Sequence, residues 1–582
     1  MTPRAPGSSG TPGPPRRAVV ALALAAVSGC AGLPRSGPVV AGSRVQDDPR
    51  LGLVRVVPQG PVPGAAPEEV VHGFLLAAAT GGGEQAVARE FLSPGARRTW
   101  RPDASTTLLR AVPRVRAAGP PAAGTAAVVV SGDVVAEIDA GGRYSQRPAG
   151  TALQRTLRLV RVEGEWRVDV PGDGRLLTQV DASRSLRPFP VCFATVDAAQ
   201  LVADVRWFAY DSSTATRAVT ELLAGPSPWL APAVLTGAPP GTRLRTGTVP
   251  VADGTATVDL TAPALRAAPE RRAVLLAQLR AGLTRLPGVE DVVVRVDGAE
   301  LTRGSSPPVP DPPLVLPVTD VRLVLVGPSG VARWDRSSVQ PVPGAAGAAA
   351  GARHPAVAPD GSCTAWLVDE GRTLRVQAGR EAEPVAVDAG GAVLAPPSID
   401  RHGWVWVVPT TAGAAPAVVR AQDPAGGRSA VEPPAEGLGG RVLRARPSRD
   451  GARLLLVRQE TGGAVHVQVR GVVRGAAGRP LRLAGASPEL VPGAGEVLDA
   501  SWLGDDRVVV LVRPGPGQDP VPLVSQLSGP AQRLAPVPGA ESVACGWNDR
   551  EVVVGTSAGR LLTRSGATWS PVLDGRDPAY PG

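Results

Sequence analysis

The chain of 582 residues has no lysine, because all 61 of its Lys and Arg residues are arginine. That absence removes whole chemistries. A P-loop needs a Lys on its phosphates and a Schiff-base enzyme needs an amine, so kinase, pyridoxal and Ser-Lys hydrolase mechanisms drop out. Asparagine occurs once, at Asn548, and isoleucine twice, at Ile138 and Ile399, beside one Met, three Tyr and five Phe. Every residue type with AT-rich codons is scarce, which marks GC-rich coding DNA and makes the arginine excess partly a codon effect. The four histidines, His72, His354, His402 and His466, are scattered, and the four cysteines lie far apart at positions 30, 192, 363 and 545. No zinc-type spacing results, and no metal or other cofactor is expected. Beyond one short run before Cys30, no apolar stretch approaches the length of a membrane-spanning helix.

What is abundant is glycine and proline, 70 and 63 residues, about twice their usual combined share. Long helical bundles are therefore not expected. A hydrophobic content of 43% still fills real cores, and the length suggests three or four folded units. The net charge of +9 raises the question of a polyanionic partner, but Arg4, Arg16 and Arg17 precede Cys30 and leave only +6 beyond it. With no aromatic-and-basic stripe, nucleic acid is not an expected partner.

Arg16-Arg17 precede the apolar run from Ala18 to Gly29, and Cys30 follows. A charged segment, a short apolar segment and small residues before a cysteine form an export signal. Val27-Ser28-Gly29-Cys30 resembles the bacterial lipobox, with Val where Leu is commoner. The resemblance implies recognition of Val27, Ser28 and Gly29 by a lipoprotein signal peptidase, and Cys30 as an S-diacylglycerol, N-palmitoyl cysteine. Such an anchor is strong enough to hold a protein stably, since each buried CH2 contributes about 0.8 kcal/mol. The expected location is the extracytoplasmic face of the cell membrane, reached by Sec or Tat export. Residues 1–29 are then the signal peptide and 30–66 a Pro- and Gly-rich tether.

From residue 67 to 203 the pattern fits an α+β domain. Val70, Val71, Phe74, Leu75 and Ala78 share a helical face, Ala86, Val87, Phe91 and Leu92 suggest a second helix, and strands are expected at Ala126–Val130, Val134–Ile138, Leu153–Val162 and Trp166–Val170. From 204 to 302 a second α+β unit follows. It has strands at Val205–Tyr210, Thr255–Leu260 and Val292–Val296, and a helix from Glu270 to Leu286 with Leu275, Leu279, Leu283 and Leu286 on one stripe. The segments TELLAGPS, PPGTRL, GTATVDLT and LLAQLRAGLTRLPGVEDVVVRVDG, in that order, resemble the GerMN domain of bacterial cell-envelope proteins. That resemblance implies a binding or assembly module.

Residues 303–313 read as a linker. From 314 to 582 short strands recur at propeller-blade spacing. Tight turns at Asp360-Gly361, His402-Gly403, Asp450-Gly451, Gly504-Asp505 and Asn548-Asp549 each stand between an edge-like strand and an apolar inner one. Five repeats are legible and Asp320–Val326 suggests another, so the expectation is an all-β propeller of five to seven blades.

Gly555-Thr556-Ser557-Ala558-Gly559 matches a nucleophile elbow, yet the residues after it continue as strand where an elbow opens a helix, so no catalytic residue is assigned. Cys363 and Cys545 fall in the first and last clear repeats and leave open either a disulfide or two buried thiols. Ten arginines between Arg441 and Arg482 suggest a dock for an anionic partner or merely the solvent sides of strands. The order of lipobox, α+β domain, GerMN-like domain and propeller resembles the actinobacterial LpqB family of lipoproteins. Membership implies a non-enzymatic accessory of the MtrA–MtrB two-component system that binds the outer part of the sensor kinase MtrB. A cell-wall-polymer scaffold and a propeller-based envelope hydrolase remain the alternatives. Cys30→Ala is expected to abolish lipid attachment and release the protein from the membrane, which metabolic labelling with palmitate and membrane fractionation would check.

Overall fold

A computed structural model describes residues 58–79, 85–301 and 322–581, except single positions at 123, 388 and 415. Val27, Ser28, Gly29, Cys30 and the linker at 303–313 lie outside the described residues. The architecture is multidomain: two α+β modules, then an all-β propeller.

Helix Pro67–Ala79 starts with proline, whose missing N–H costs nothing there, and Glu69 accepts a 2.8 Å hydrogen bond from the Ala66 amide. Its apolar face buries Val70, Val71, Phe74, Ala77 and Ala78, and Phe74 meets Trp100 edge-on at 5.2 Å. This helix packs on a sheet ordered Glu165–Val170, Ala152–Val162, Thr125–Asp139, Ser105–Leu109, Arg175–Thr178. The two strands expected at Ala126–Val130 and Val134–Ile138 are one strand. Ser131, Gly132 and Asp133 stay paired with Gln154, Leu153 and Ala152, so the polar triplet never turns.

Helix Gln179–Ser185 is capped reciprocally by Thr178 and Asp181 and leads into the second module. The boundary expected between 203 and 204 falls inside a hairpin, Leu186–Thr195 with Leu201–Ala209. Phe189, Val191, Phe193 and Val202 of that hairpin pack in one core with helices Thr214–Ala224 and Pro269–Leu283, so this module takes up its strands. Strands Thr255–Leu260 and Asp291–Val296 run parallel, joined across by helix Pro269–Leu283. Its stripe is Leu275, Leu279 and Leu283; Leu286 lies past the last turn but still touches the core. Gly237 is needed there, since a Cβ on it would stand 2.3 Å from the Leu275 amide.

Among the described residues the propeller has six four-stranded blades. Blade 1 combines Leu323–Val326, Val331–Trp334 and Val339–Pro341 with the last strand of the chain, Arg576–Ala579, which pairs antiparallel with Leu323–Val326 and closes the ring. The strands nearest the axis in blades 2 to 6 are Arg353–Val357, Ser398–Ile399, Arg441–Pro447, Glu496–Leu503 and Ala540–Cys545. These are the strands that precede the tight turns. The apolar strands after the turns, such as Arg507–Arg513, are second in each blade and not innermost as the repeat pattern suggests. A second strand is covered on both faces by neighbouring blades and must be apolar throughout, whereas an innermost strand has one free edge. Pro355, Pro447 and Pro578 sit in innermost strands, where a missing N–H is harmless.

Cys192, Cys363 and Cys545 are free and buried, Cys363 in the core of blades 2 and 3 and Cys545 in that of blades 5 and 6. The arginine run is for the most part not a solvated face. Of its ten residues only Arg441, Arg479 and Arg482 are exposed.

The described residues, from 58 onward, pack as one unit, and the second module rests on the turn side of the propeller. Arg453, fully buried, pairs with Asp450 and donates to the carbonyls of Asp505 at 2.6 Å and Ala203 at 3.5 Å, lying over the Trp502 ring. Arg401 reaches Asp197 at 2.5 Å. Ser528 of blade 5 receives the Tyr144 amide of the first module at 3.1 Å and the Trp207 indole of the second at 2.6 Å. At Gly471 a Cβ would meet the Trp229 carbonyl at 2.8 Å, so the two surfaces touch at backbone distance. Arg453→Met strands the Asp450 charge and is expected to cost about 3–5 kcal/mol, part of it recovered by adding Asp450→Asn. Urea denaturation followed by tryptophan fluorescence measures both; a loss below about 1 kcal/mol would remove Arg453 from this role.

Candidate functional site

The innermost strands of the blades surround a chamber of about 350 Å³ on the face away from the turns. Arg353 and His354 come from blade 2, Arg444 and Arg446 from blade 4, Asp499 from blade 5, Glu541 from blade 6, and Arg576 and Asp577 from the closing strand of blade 1. Arg444 and Arg446 reach the channel together because residues two apart on a strand share a side. Arg353, Glu541 and Arg576 are exposed and form the rim.

Two carboxylates in the wall are saturated. Asp499 accepts Arg444 Nε at 2.7 Å, its neighbour Ala500 N–H at 2.9 Å and the Val543 amide at 2.9 Å. Asp577 accepts Arg353 Nε at 2.7 Å and the His354 amide at 3.1 Å, with the His354 ring 3.3 Å away; together these hold its carboxyl below the usual range despite burial. His354 holds a left-handed backbone, φ 47°, that L-residues seldom adopt. Burial pulls its imidazole down to about 4, and nearby arginines reinforce this against the pull of Asp577.

Arg446 is half-buried and makes no ion pair among the described residues; its guanidinium donates to the Pro397 carbonyl at 3.4 Å. It also lines a narrower pocket of about 30 Å³ that continues inward past Ser501 to Arg449. No acid lines this inner part. Arg449 is buried, donates to the Gly504 and Cys545 carbonyls at 3.1 and 3.0 Å, lies over the Trp547 ring and leaves its Nε without a partner. Burial lowers the pKa of both guanidiniums, the direction that records a charge short of compensation.

Ser557 stands on the chamber wall, in a turn between strands Val552–Thr556 and Arg560–Ser565. It opens no helix. His354 and Asp577 share the chamber, yet no hydrogen bond joins Ser557 to His354 among the described residues, so the three do not form a relay. No described group of His, Cys, Asp and Glu could hold a metal ion, and no described helix is long and apolar enough to cross a membrane. Cys30, the residue singled out from sequence, lies outside the described residues. Arg446 belongs to the arginine run that suggested an anionic partner, whereas Asp499 and Asp577 carry no local signal in the sequence.

His402, beside the second module, is also pulled down to about 4, chiefly by burial. A histidine whose folded pKa lies below its unfolded value of 6.5 contributes stability that is lost as pH falls from about 6.5 toward 4, because the unfolded chain takes up protons that the folded one refuses. NMR titration should place both imidazoles near pH 4, and His402→Gln should flatten the loss of thermal stability across that window; midpoints near 6.5 would contradict the burial.

The sequence matches three family models: the LpqB lipoprotein N-terminal domain over residues 60–183, a sporulation and spore germination domain over 190–302, and the LpqB β-propeller domain over 329–581. Lipoprotein LpqB of Streptomyces coelicolor is 30% identical over 97% of this chain and 98% of its own, and that of Thermobifida fusca 29% over 97% and 99%. Among solved structures, TolB from Acinetobacter baumannii aligns with 44% of this chain and 65% of its own at 17% identity, with a TM-score of 0.33. Matched by two LpqB domain models and by relatives that align from end to end, the chain belongs to the LpqB family of lipoproteins.

Proposed function

We propose that this protein is a lipid-anchored, extracytoplasmic accessory protein that binds and modulates a membrane sensor kinase of the MtrB type, acting without catalysis of its own. The observation that carries the reading is the alignment of nearly the whole chain with proteins named as lipoproteins, together with the arginine pair, apolar run and Val27-Ser28-Gly29-Cys30 at its start. Three modules packed as one unit support it further, because a rigid body on a tether presents the same surface to every partner. Anchoring at Cys30 confines the protein to the layer of a membrane-bound partner and raises the effective concentration of the pair. The relay that a serine hydrolase needs is not assembled around Ser557, and seven of the ten arginines between Arg441 and Arg482 are buried or half-buried, which disfavours a wall-polymer dock on the outer surface.

Crosslinking in the native membrane, followed by identification of captured proteins, tests the reading. The kinase is the expected catch in wild type, and Cys30→Ala should reduce its yield about tenfold or more, the scale of effect that confinement produces. Capture of other proteins with the kinase consistently absent would overturn it, as would cosedimentation with purified cell wall unaccompanied by kinase binding.

A further inference from the structure

The channel of the propeller carries an imbalance that the fold does not resolve. Its outer chamber holds four guanidiniums, those of Arg353, Arg444, Arg446 and Arg576, against the carboxylates of Asp499, Asp577 and Glu541. Arg444 and Arg353 are taken by Asp499 and Asp577, each at 2.7 Å. Glu541 and Arg576 stand at the exposed rim, where water screens them. Arg446 is left over, and behind it Arg449 adds a second buried guanidinium held only by carbonyl oxygens and a tryptophan face, with its Nε unpaired. Asp499 and Asp577 act on Arg446, and Asp505 and Glu551 on Arg449, only from a distance; neither guanidinium makes an ion pair among the described residues, and no acid lines the inner pocket. Burying a charge without a contacting partner is unfavourable, and an anion supplied from solution relieves it.

We propose that the inner end of the propeller channel is a binding site for a carboxylate, with Arg446 as its direct partner, Arg449 supporting it from behind, and the rest of the ligand lying in the outer chamber. Size and charge select the class. An inner pocket of about 30 Å³ admits one small group and no more. A planar carboxylate meets a guanidinium through two parallel hydrogen bonds, and the outer chamber of about 350 Å³ falls in the range of small-ligand sites. A phosphate monoester, tetrahedral and bulkier than a planar carboxylate, is disfavoured by the size of the inner pocket. The site does not depend on the kinase partner. A carboxylate can arrive on a free small acid or at the end of a peptide, and the same arginine would read both.

The test is isothermal titration of the detergent-solubilised full chain at fixed ionic strength. The probes are N-acetylglycylglycine, its C-terminal amide, propionate and inorganic phosphate. Saturable one-to-one binding of the acid, none of the amide, and weaker binding of phosphate are expected. Arg446→Gln should weaken the acid about tenfold or more, as loss of a charge-assisted pair does. Arg576→Gln, at the exposed rim where folding is not at stake, should weaken it about two- to fivefold by removing a cation from the field. Arg98→Gln, on an exposed helix of the first module, should leave it unchanged. Propionate binding as tightly as the peptide acid assigns the site to a free small acid, and a clear preference for the peptide acid assigns it to a chain terminus; either upholds the site. It is overturned if wild type binds neither acid, if the amide or phosphate binds as well as the acid, or if Arg576→Gln and a folded Arg446→Gln both bind like wild type.

Discussion

The arrangement of this molecule depends on one buried guanidinium. Arg453, at the start of the second strand of blade 4, holds the Asp450 turn of its own blade, a carbonyl of blade 5 and a carbonyl of the second module at once. In water those pairings would be worth little, but enclosed by protein the same charges cannot be left single. Around it the Arg401–Asp197 pair, the backbone approach at Gly471 and the Ser528 junction fix the modules against one another. The turn side of the propeller is thereby occupied, and the charged chamber on the other face stays open.

Ring closure supplies the second constraint. Blade 1 obtains its innermost strand from residues 576–579, more than 230 positions beyond its other three strands, so the channel wall exists only when both ends of the propeller sequence meet. That strand also brings in Asp577, which ties down Arg353 and the left-handed His354 of blade 2. Strain at His354 is thus held by a contact between the closing strand and its neighbour across the seam. A chain that closes its ring with residues lining the channel couples the integrity of the fold to the composition of the site.

Much of the fold was legible because local pattern and tertiary demand agree. Val292, Val294 and Val296 alternate and are buried, and the leucine stripe of the long helix packs as its spacing implies. Elsewhere tertiary context overrides a local signal. Ser131-Gly132-Asp133 looks like a turn but is held extended by pairing on a neighbouring strand, and the apolar strands of the blades looked innermost because burial on two faces and position near an axis leave the same hydrophobic trace. The arginine run is ambiguous for a related reason: a sequence does not tell whether a guanidinium on alternate positions faces solvent, a channel or a carboxylate in the next blade. Arg470 finds Glu436 and Arg474 finds Asp400, partners far off in sequence.

By itself the sequence determined the order of the modules, the absence of lysine chemistry and the repeat that builds blades, since each rests on residues adjacent in the chain. The blade number, the docking of the second module on the turn side and the state of each arginine were decided only in three dimensions. Charge compensation joins side chains that sequence separates by tens to hundreds of positions. Arg444 found a carboxylate in the neighbouring blade, while Arg446, two residues further along the same strand, was left facing the channel without one.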